Sequence, residues 1–109
     1  MIIPTFQDIL QAKRTISPHL KPTPIYQYPT LSKALGTEIW VKHENHLPIR
    51  AFKVRGGVNF MANFHANNNN TGVITASTGN HGQSVAYACL LYTSPSPRAA
   101  TLSRMPSSA

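Results

Sequence analysis

Lys53 is the residue of this chain best suited to covalent chemistry. It stands in the run Ala51-Phe52-Lys53-Val54-Arg55-Gly56-Gly57, directly between two apolar neighbours. An amine that is partly removed from water loses its proton more readily, and the neutral amine can condense with an aldehyde. The run therefore predicts a site at which a carbonyl compound is held covalently.

A second run, Ser77-Thr78-Gly79-Asn80-His81-Gly82-Gln83, offers backbone N–H groups and small hydroxyls where an apolar helix is predicted to begin. Helix starts bind anions, so this run suits a carboxylate or a phosphate, and Gly79 would let the backbone approach a ligand closely. Ser, Thr and Asn also stabilise helices as N-cap residues. Both roles can hold together.

In this order the two runs closely resemble the threonine dehydratase and serine racemase branch of pyridoxal phosphate (PLP) enzymes. The family motif Ser-Phe-Lys-x-Arg-Gly is matched from Phe52 to Gly56. The resemblance implies that Phe52, Lys53 and Asn80 bind the cofactor. It also implies that Lys53 forms the Schiff base with PLP and moves protons at the α-carbon of the substrate.

The same resemblance implies that the substrate carboxylate is held by Ser77, Thr78, Gly79, Asn80 and His81. Asn80 would lie beside the cofactor ring oxygen, to which its amide can donate. Racemases of this family carry a serine at the position of Thr78, where it is the acid/base on the opposite face. A threonine hydroxyl is compatible with racemisation but favours it less, and His81 is expected to shape the loop rather than act as a base.

The implied fold is α/β, the N-terminal fragment of a fold-type II PLP enzyme (tryptophan synthase beta-like), with a mostly parallel sheet and flanking helices. The implied parent is a homo-oligomeric lyase that converts L-threonine to 2-oxobutanoate and ammonia, or deaminates L-serine. Serine racemase and hydroxyaspartate dehydratase are alternatives, and a binding domain that retains the fold is a non-enzymatic one. The loop for the cofactor phosphate is expected downstream of Ala88, so we predict that the 109-residue chain is inactive.

Arg50-Ala51 stands where the family usually has Gly-Ser. A long cation beside the lysine would disfavour the protonated amine or crowd the site. One base change converts a glycine codon to an arginine codon, which makes a sequence error a plausible origin of Arg50.

The elements that position the two runs are predicted from apolar spacing and from helix breakers. Thr5 is an N-cap residue, and Phe6, Ile9 and Leu10 follow it at helical spacing. Strands alternating with helices predict the α/β class. In chain order we predict a helix that starts at Thr5 and stops at Ser17-Pro18, an extended segment 22–26, a short helix 29–36, a strand 37–42, a loop 43–49, a helix from Lys53 towards His65 that buries Val58, Met61, Ala62 and Phe64, a break 67–72, a buried strand 73–76, a turn 77–80 and a helix 81–88.

Three segments are expected. Residues 1–70 would begin the large PLP-binding domain with the Schiff-base lysine, and residues 71–88 a smaller domain with the substrate loop. Residues 89–109 are rich in Ser and Pro and predict a disordered tail. Back-translated, residues 89–98 and 103–109 resemble the two ends of a transposase-type sequencing adapter, so we expect the native sequence to end near Ala88.

The composition excludes several classes of protein. The formal net charge is +7, but the basic residues are scattered, which disfavours nucleic-acid binding. No apolar run is long enough to span a bilayer, no signal peptide is recognisable, and the cytoplasm is the expected compartment. The single cysteine, Cys89, cannot form an internal disulfide, and we predict no metal site.

Overall fold

The structure is a computed structural model that describes residues 2–67 and 72–92. Most of the predicted break and most of the predicted tail therefore lie outside the described residues. No helix in the described part is long and apolar enough to cross a membrane. The elements are α1 (Phe6–Ile16), β1 (Ile25–Gln27), α2 (Pro29–Leu35), β2 (Trp40–Lys42), a 3-10 helix (Glu44–His46), α3 (Lys53–Asn67) and α4 (Asn80–Tyr92).

Local capping defines α1, as the sequence predicted. The Thr5 hydroxyl accepts a hydrogen bond from the Asp8 N–H, and the Asp8 carboxylate accepts one from the Thr5 N–H at 2.7 Å. This reciprocal capping box satisfies two of the N–H groups that a helix start leaves unpaired. The backbone and side-chain hydrogen bonds from Thr5 also hold the pKa of Asp8 below its usual value.

The two strands form an antiparallel pair in which Tyr26 lies opposite Val41. The connection between them is α2, which has Pro29 at its first position and ends at Gly36 in the left-handed conformation, φ 70°. Glycine adopts this conformation at little cost, so the predicted end of the helix is confirmed. Among the described residues these are the only paired strands, so the parallel part of the expected sheet is not formed by them.

The predicted buried strand at residues 73–76 is wrong for this structure. The segment joins no ladder in the described part of the chain, and Ile74 is 85% exposed. Residues 73–76 have the side-chain pattern of a strand, but this pattern alone does not form one. A strand forms only when a neighbouring strand supplies partners for its N–H and C=O groups.

The core lies between α3 and α4 and includes part of the preceding loops. Val54, Val58 and Met61 are the buried residues of α3, and Ala88 is buried on α4. Of the predicted stripe, Val58 and Met61 are confirmed as buried, whereas Ala62 and Phe64 are half-buried. Leu20 and Leu47 complete the same hydrophobic cluster.

Helix α4 continues four residues past Ala88, so the predicted disorder is not found at residues 89–92. Cys89 and Tyr92 pack against the hydrophobic core. The ring of Tyr92 also meets that of His19 edge to face, with centroids 5.5 Å apart. The residue types from Ala88 onward continue an apolar helix face, and packing on that face holds the last turn. Residues 93–109 lie outside the described part of the chain.

Candidate active site

A groove with a volume of about 1070 Å³ runs beside the first half of α3. Its walls come from four places: the end of β2 with the 3-10 helix that follows, the start of α3, residues 73–75, and the first turns of α4. The exposed surface of the groove is mostly apolar, and three of its charged side chains, Lys42, Glu44 and Arg55, meet near the end of β2. The lining residues are Lys42, Glu44, Phe52, Lys53, Arg55, Gly56, Gly57, Phe60, Val73, Ile74, Thr75, His81 and Val85.

Lys53 is the first residue of α3 and lines this groove. Its side chain is exposed, so the partial removal from water that the sequence suggested is not observed. The neighbour on one side, Val54, is fully buried, whereas Phe52 is 62% exposed. Among the described residues, the Lys53 ammonium has no hydrogen-bonding or ionic partner, which leaves the amine available for reaction.

The predicted substrate loop lies at the start of α4. The Gly79 N–H donates to the Ser77 hydroxyl over 3.2 Å, and the helix begins at Asn80, one residue earlier than predicted. Ser77 is half-buried, and the remaining residues of the loop are exposed. The groove therefore brings together Phe52, Lys53 and His81, whereas Ser77, Thr78, Gly79 and Asn80 lie outside its lining.

An ion pair ties the start of α3 to the loop after β2. The Arg55 guanidinium donates twice to the Glu44 carboxylate, with Nε to Oε2 at 2.7 Å and Nη2 to Oε1 at 3.0 Å. The Thr23 hydroxyl also donates to Glu44, and Lys42 Nζ lies 3.9 Å from Oε1. The hydrogen bonds from Arg55 lower the pKa of Glu44 to about 2, and the same pairing raises the pKa of Arg55.

Glu44 was not among the residues singled out from the sequence. Two signals could have found it. The chain has only three acidic residues, and Arg55 belongs to the run Phe52 to Gly56 that contains Lys53. A bidentate pair with a carboxylate is a strong arrangement for an arginine, so the three acidic residues were the candidate protein partners of Arg55.

The position of Arg50 also departs from ordinary geometry. Its φ is 57°, the left-handed region, and it is the non-glycine residue with positive φ in the described part of the chain. This conformation costs a residue with a Cβ about 1–2 kcal/mol, a cost that glycine avoids. The backbone is still held there, since the Arg50 N–H donates to the Leu47 carbonyl at 2.8 Å. A glycine would suit position 50 better, as the family motif has it.

The residues present fit the covalent part of PLP binding. A primary amine without a partner among the described residues stands at the edge of a largely apolar groove, next to an exposed phenyl ring. Such an amine condenses with an aldehyde once it has lost its proton. The described residues include no group of three His, Cys, Asp or Glu side chains placed to hold a metal ion.

A family model described as "Pyridoxal-phosphate dependent enzyme" matches residues 16–96, well over half of the chain. The chain belongs to this family. The resemblance inferred from the two runs is thus confirmed, and the match to the PLP-dependent enzymes includes both the helix that carries Lys53 and the helix that follows the loop.

Three curated relatives show how broad this branch of the PLP-dependent enzymes is. A biosynthetic L-threonine dehydratase of Corynebacterium glutamicum is 40% identical over 82 residues, 75% of this chain and 19% of the relative. An L-threo-3-hydroxyaspartate ammonia-lyase of Saccharomyces cerevisiae is 36% identical, covering 87% of this chain and 29% of the relative. A serine racemase of Schizosaccharomyces pombe is 33% identical, covering 79% and 27%.

The fold of this family is also found by structural comparison. The crystal structure of a threonine deaminase from T.th. superimposes with a TM-score of 0.71 and 34% identity, covering 81% of this chain and 31% of that protein. The expected fold class is therefore confirmed. The chain spans about a fifth to a third of the length of the proteins it matches.

Proposed function

We propose that the full-length protein that carries this sequence is a PLP-dependent threonine/serine dehydratase, which converts L-threonine to 2-oxobutanoate and ammonia. The observation that carries the proposal is the Lys53 amine, which lines the groove and has no partner among the described residues. Two of the relatives, named a threonine dehydratase and a hydroxyaspartate ammonia-lyase, support the reaction type.

Each residue of the site then has a defined role. Lys53 holds the cofactor and, once released by the incoming amino acid, takes the proton from its α-carbon. Ser77, Thr78, Gly79, Asn80 and His81 form the loop that binds the substrate carboxylate, through hydroxyl and N–H groups at the start of α4, where the helix favours an anion. Asn80 donates to the cofactor ring oxygen, Phe52 flanks the ring, and His81 shapes the loop. PLP, when bound, supplies the electron sink that stabilises negative charge at the α-carbon.

The proposal is tested on the full-length gene product, after its sequence has been read across codon 50 and beyond codon 88. The purified protein is scanned for the visible absorption of an imine between lysine and PLP. Borohydride reduction and peptide mass spectrometry then locate the lysine. We expect the label on Lys53 and its loss in Lys53→Ala, together with a loss of keto-acid formation of at least about 10²-fold. A well-folded parent without the imine would refute the cofactor role.

A second candidate is amino-acid racemisation, which the Thr78 hydroxyl permits and the serine racemase relative supports. Chiral chromatography of L-serine incubated with the parent separates the two: D-serine indicates the racemase, whereas pyruvate and ammonia indicate the dehydratase. Incubation of the parent with threo-3-hydroxyaspartate tests the remaining alternative, a hydroxyaspartate dehydratase. An imine without turnover of any of these amino acids would instead favour a binding domain.

We also propose that the 109-residue chain by itself does not turn over substrate. Ammonia released from L-threonine by this purified chain with PLP would contradict that. The parent is proposed to be a cytoplasmic homo-oligomer, and light scattering of the purified parent tests the oligomeric state.

A further inference from the structure

A buried hydroxyl connects the two helices of the site. Ser84 lies on α4 and is fully buried, and its hydroxyl donates to the backbone carbonyl of Lys53 at 2.6 Å. Lys53 carries the proposed cofactor amine, while α4 begins with the proposed substrate loop. One hydrogen bond thus joins the backbone of one motif to the helix of the other.

Gly57 makes this hydrogen bond sterically feasible. A Cβ at position 57 would lie 2.1 Å from the Ser84 Oγ and 2.9 Å from the Ser84 carbonyl oxygen, both too close for real atoms. The neighbouring Gly56 has open space at the same point. Position 57 lies one turn after Lys53, and in an α-helix its N–H donates to the Lys53 carbonyl. That carbonyl therefore receives one donor from its own helix and a second from Ser84.

We propose that Ser84 is a positioning residue for Lys53. Its hydrogen bond fixes the first turn of α3 against α4 and so sets the place of the Lys53 amine relative to the loop that begins α4. This inference rests on the proposed role of Lys53 as the cofactor lysine. Ser84 itself touches neither substrate nor cofactor.

Geometry explains why such a contact matters. The first turn of a helix has fewer backbone hydrogen bonds than its middle, and Lys53 is the first residue of α3. The other fixed point is the pair between Arg55 and Glu44, which ties this turn to the loop after β2. Ser84 adds a tie to α4. A reacting group displaced by about 1 Å can lose about 10²-fold in rate. Loss of the Ser84 hydrogen bond should therefore slow the reaction.

The test compares three variants of the full-length protein with the wild type. Ser84→Ala removes the hydroxyl, and Ser84→Cys replaces it with a somewhat larger thiol that donates only weakly. Val58→Ala is the matched control, because Val58 is also fully buried on α3 but its side chain cannot hydrogen-bond to the Lys53 carbonyl. All are assayed at a temperature at which far-ultraviolet circular dichroism shows each of them folded. If Ser84→Ala does not fold, Ser84→Cys replaces it.

The first readout needs no turnover. The apoprotein is given PLP for a short time and reduced with borohydride, and mass spectrometry measures labelling of Lys53 relative to Lys33, an exposed lysine of α2. We expect the ratio to fall by roughly tenfold in the Ser84 variants, because the amine is misplaced, and to stay at the wild-type value in Val58→Ala. A wild-type protein without preferential labelling of Lys53 would refute the proposed function rather than the role of Ser84.

The second readout separates kcat from KM. With L-threonine we expect kcat to fall by roughly tenfold or more in the Ser84 variants, with a smaller change in KM, and Val58→Ala to remain near the wild type. Equal labelling ratios and equal kcat in wild type and Ser84 variants would overturn the inference. The same fall in Val58→Ala and in Ser84→Ala would also overturn it, since Ser84 would then act only through stability.

Discussion

The N-terminal half of the described chain and the pair α3–α4 are stabilised in different ways. In the part that the structure describes, α1, β1, α2 and β2 contain no buried residue. They are stabilised by a capping box, a glycine cap and one short pair of strands. The helices α3 and α4 instead bury six residues in total, Gly82 and Ser84 included. Local rules form the first region, whereas tertiary packing forms the second.

The proposed chemistry lies where the two regions meet. Lys53 belongs to α3, but the loop after β2 is tied to the first turn of that helix through Glu44 and Arg55. A motif can therefore be recognised in the sequence, whereas its position in the folded chain depends on side chains outside the motif. Substitutions in the packed region should therefore cost more than substitutions in the locally stabilised one.

The largest effect on stability is expected from Gly57→Ala. The new methyl group would overlap Ser84 and force α3 and α4 apart, which lowers the free energy of unfolding by about 1–3 kcal/mol. Urea unfolding followed by circular dichroism measures this. Gly56→Ala is the control and should be neutral or slightly stabilising, because its methyl group meets open space and alanine favours the helix.

A double-mutant cycle sharpens this prediction. Gly57→Ala should cost less in the background of Ser84→Ala, because the closer of the two clashes is then removed. The remaining cost reflects the contact with the Ser84 carbonyl oxygen. Strictly additive effects would mean that the two side chains do not meet.

The next effect concerns Glu44 and acid. Its pKa in the folded protein is about 2, below the ordinary 4.5, so the folded state binds fewer protons than the unfolded state between these values. The stability that the pair contributes is fully present above about pH 4.5 and is lost as the pH falls towards 2. Glu44→Gln should lower the free energy of unfolding at about pH 7 by about 1–3 kcal/mol.

The pH profile of unfolding is the measurement that checks the ion pair. Glu44→Gln should flatten the profile below pH 4.5 relative to the wild type. Glu38→Gln is a matched control, because Glu38 bonds the exposed indole of Trp40 and does not contact Arg55 in the described structure. A profile that Glu44→Gln leaves unchanged would contradict the pair.

A smaller loss is expected in the locally stabilised region. Thr5→Ala removes the hydroxyl of the capping box and should cost about 1 kcal/mol. Because α1 buries no residue within the described part, the change should fray α1 without moving α3 and α4. Amide hydrogen exchange resolves this: faster exchange confined to α1 is the expected result, and faster exchange in α3 would show that the two regions are coupled.

The smallest effect has the opposite sign. Arg50→Gly relieves a left-handed conformation, but the greater freedom of glycine in the unfolded chain offsets part of the gain. We therefore expect a net stabilisation of about 0.5–1 kcal/mol, which the shift of the urea midpoint measures. A destabilised variant would mean that the Arg50 side chain makes a contact worth more than the strain it causes.

The sequence by itself determined the presence of α1 to α4, the caps of α1 and α2, and the family. Thr5, Pro29 and Gly36 act within their own turns, so their effects are readable without a fold. The runs around Lys53 and Asn80 match the motifs of the PLP-dependent enzymes closely enough to indicate that family. Arg50 could be marked as a departure, but only the backbone revealed its left-handed conformation.

Only the tertiary structure decided which groups meet. The segment 73–76 has the residues of a strand but no neighbouring strand in the described part, while residues 89–92 became helical because Tyr92 and Cys89 found a surface to pack on. Ser84 lies 31 residues from the carbonyl it bonds, and Glu44 lies 11 from Arg55. Such contacts depend on the approach of whole elements, which residue spacing along the chain does not specify.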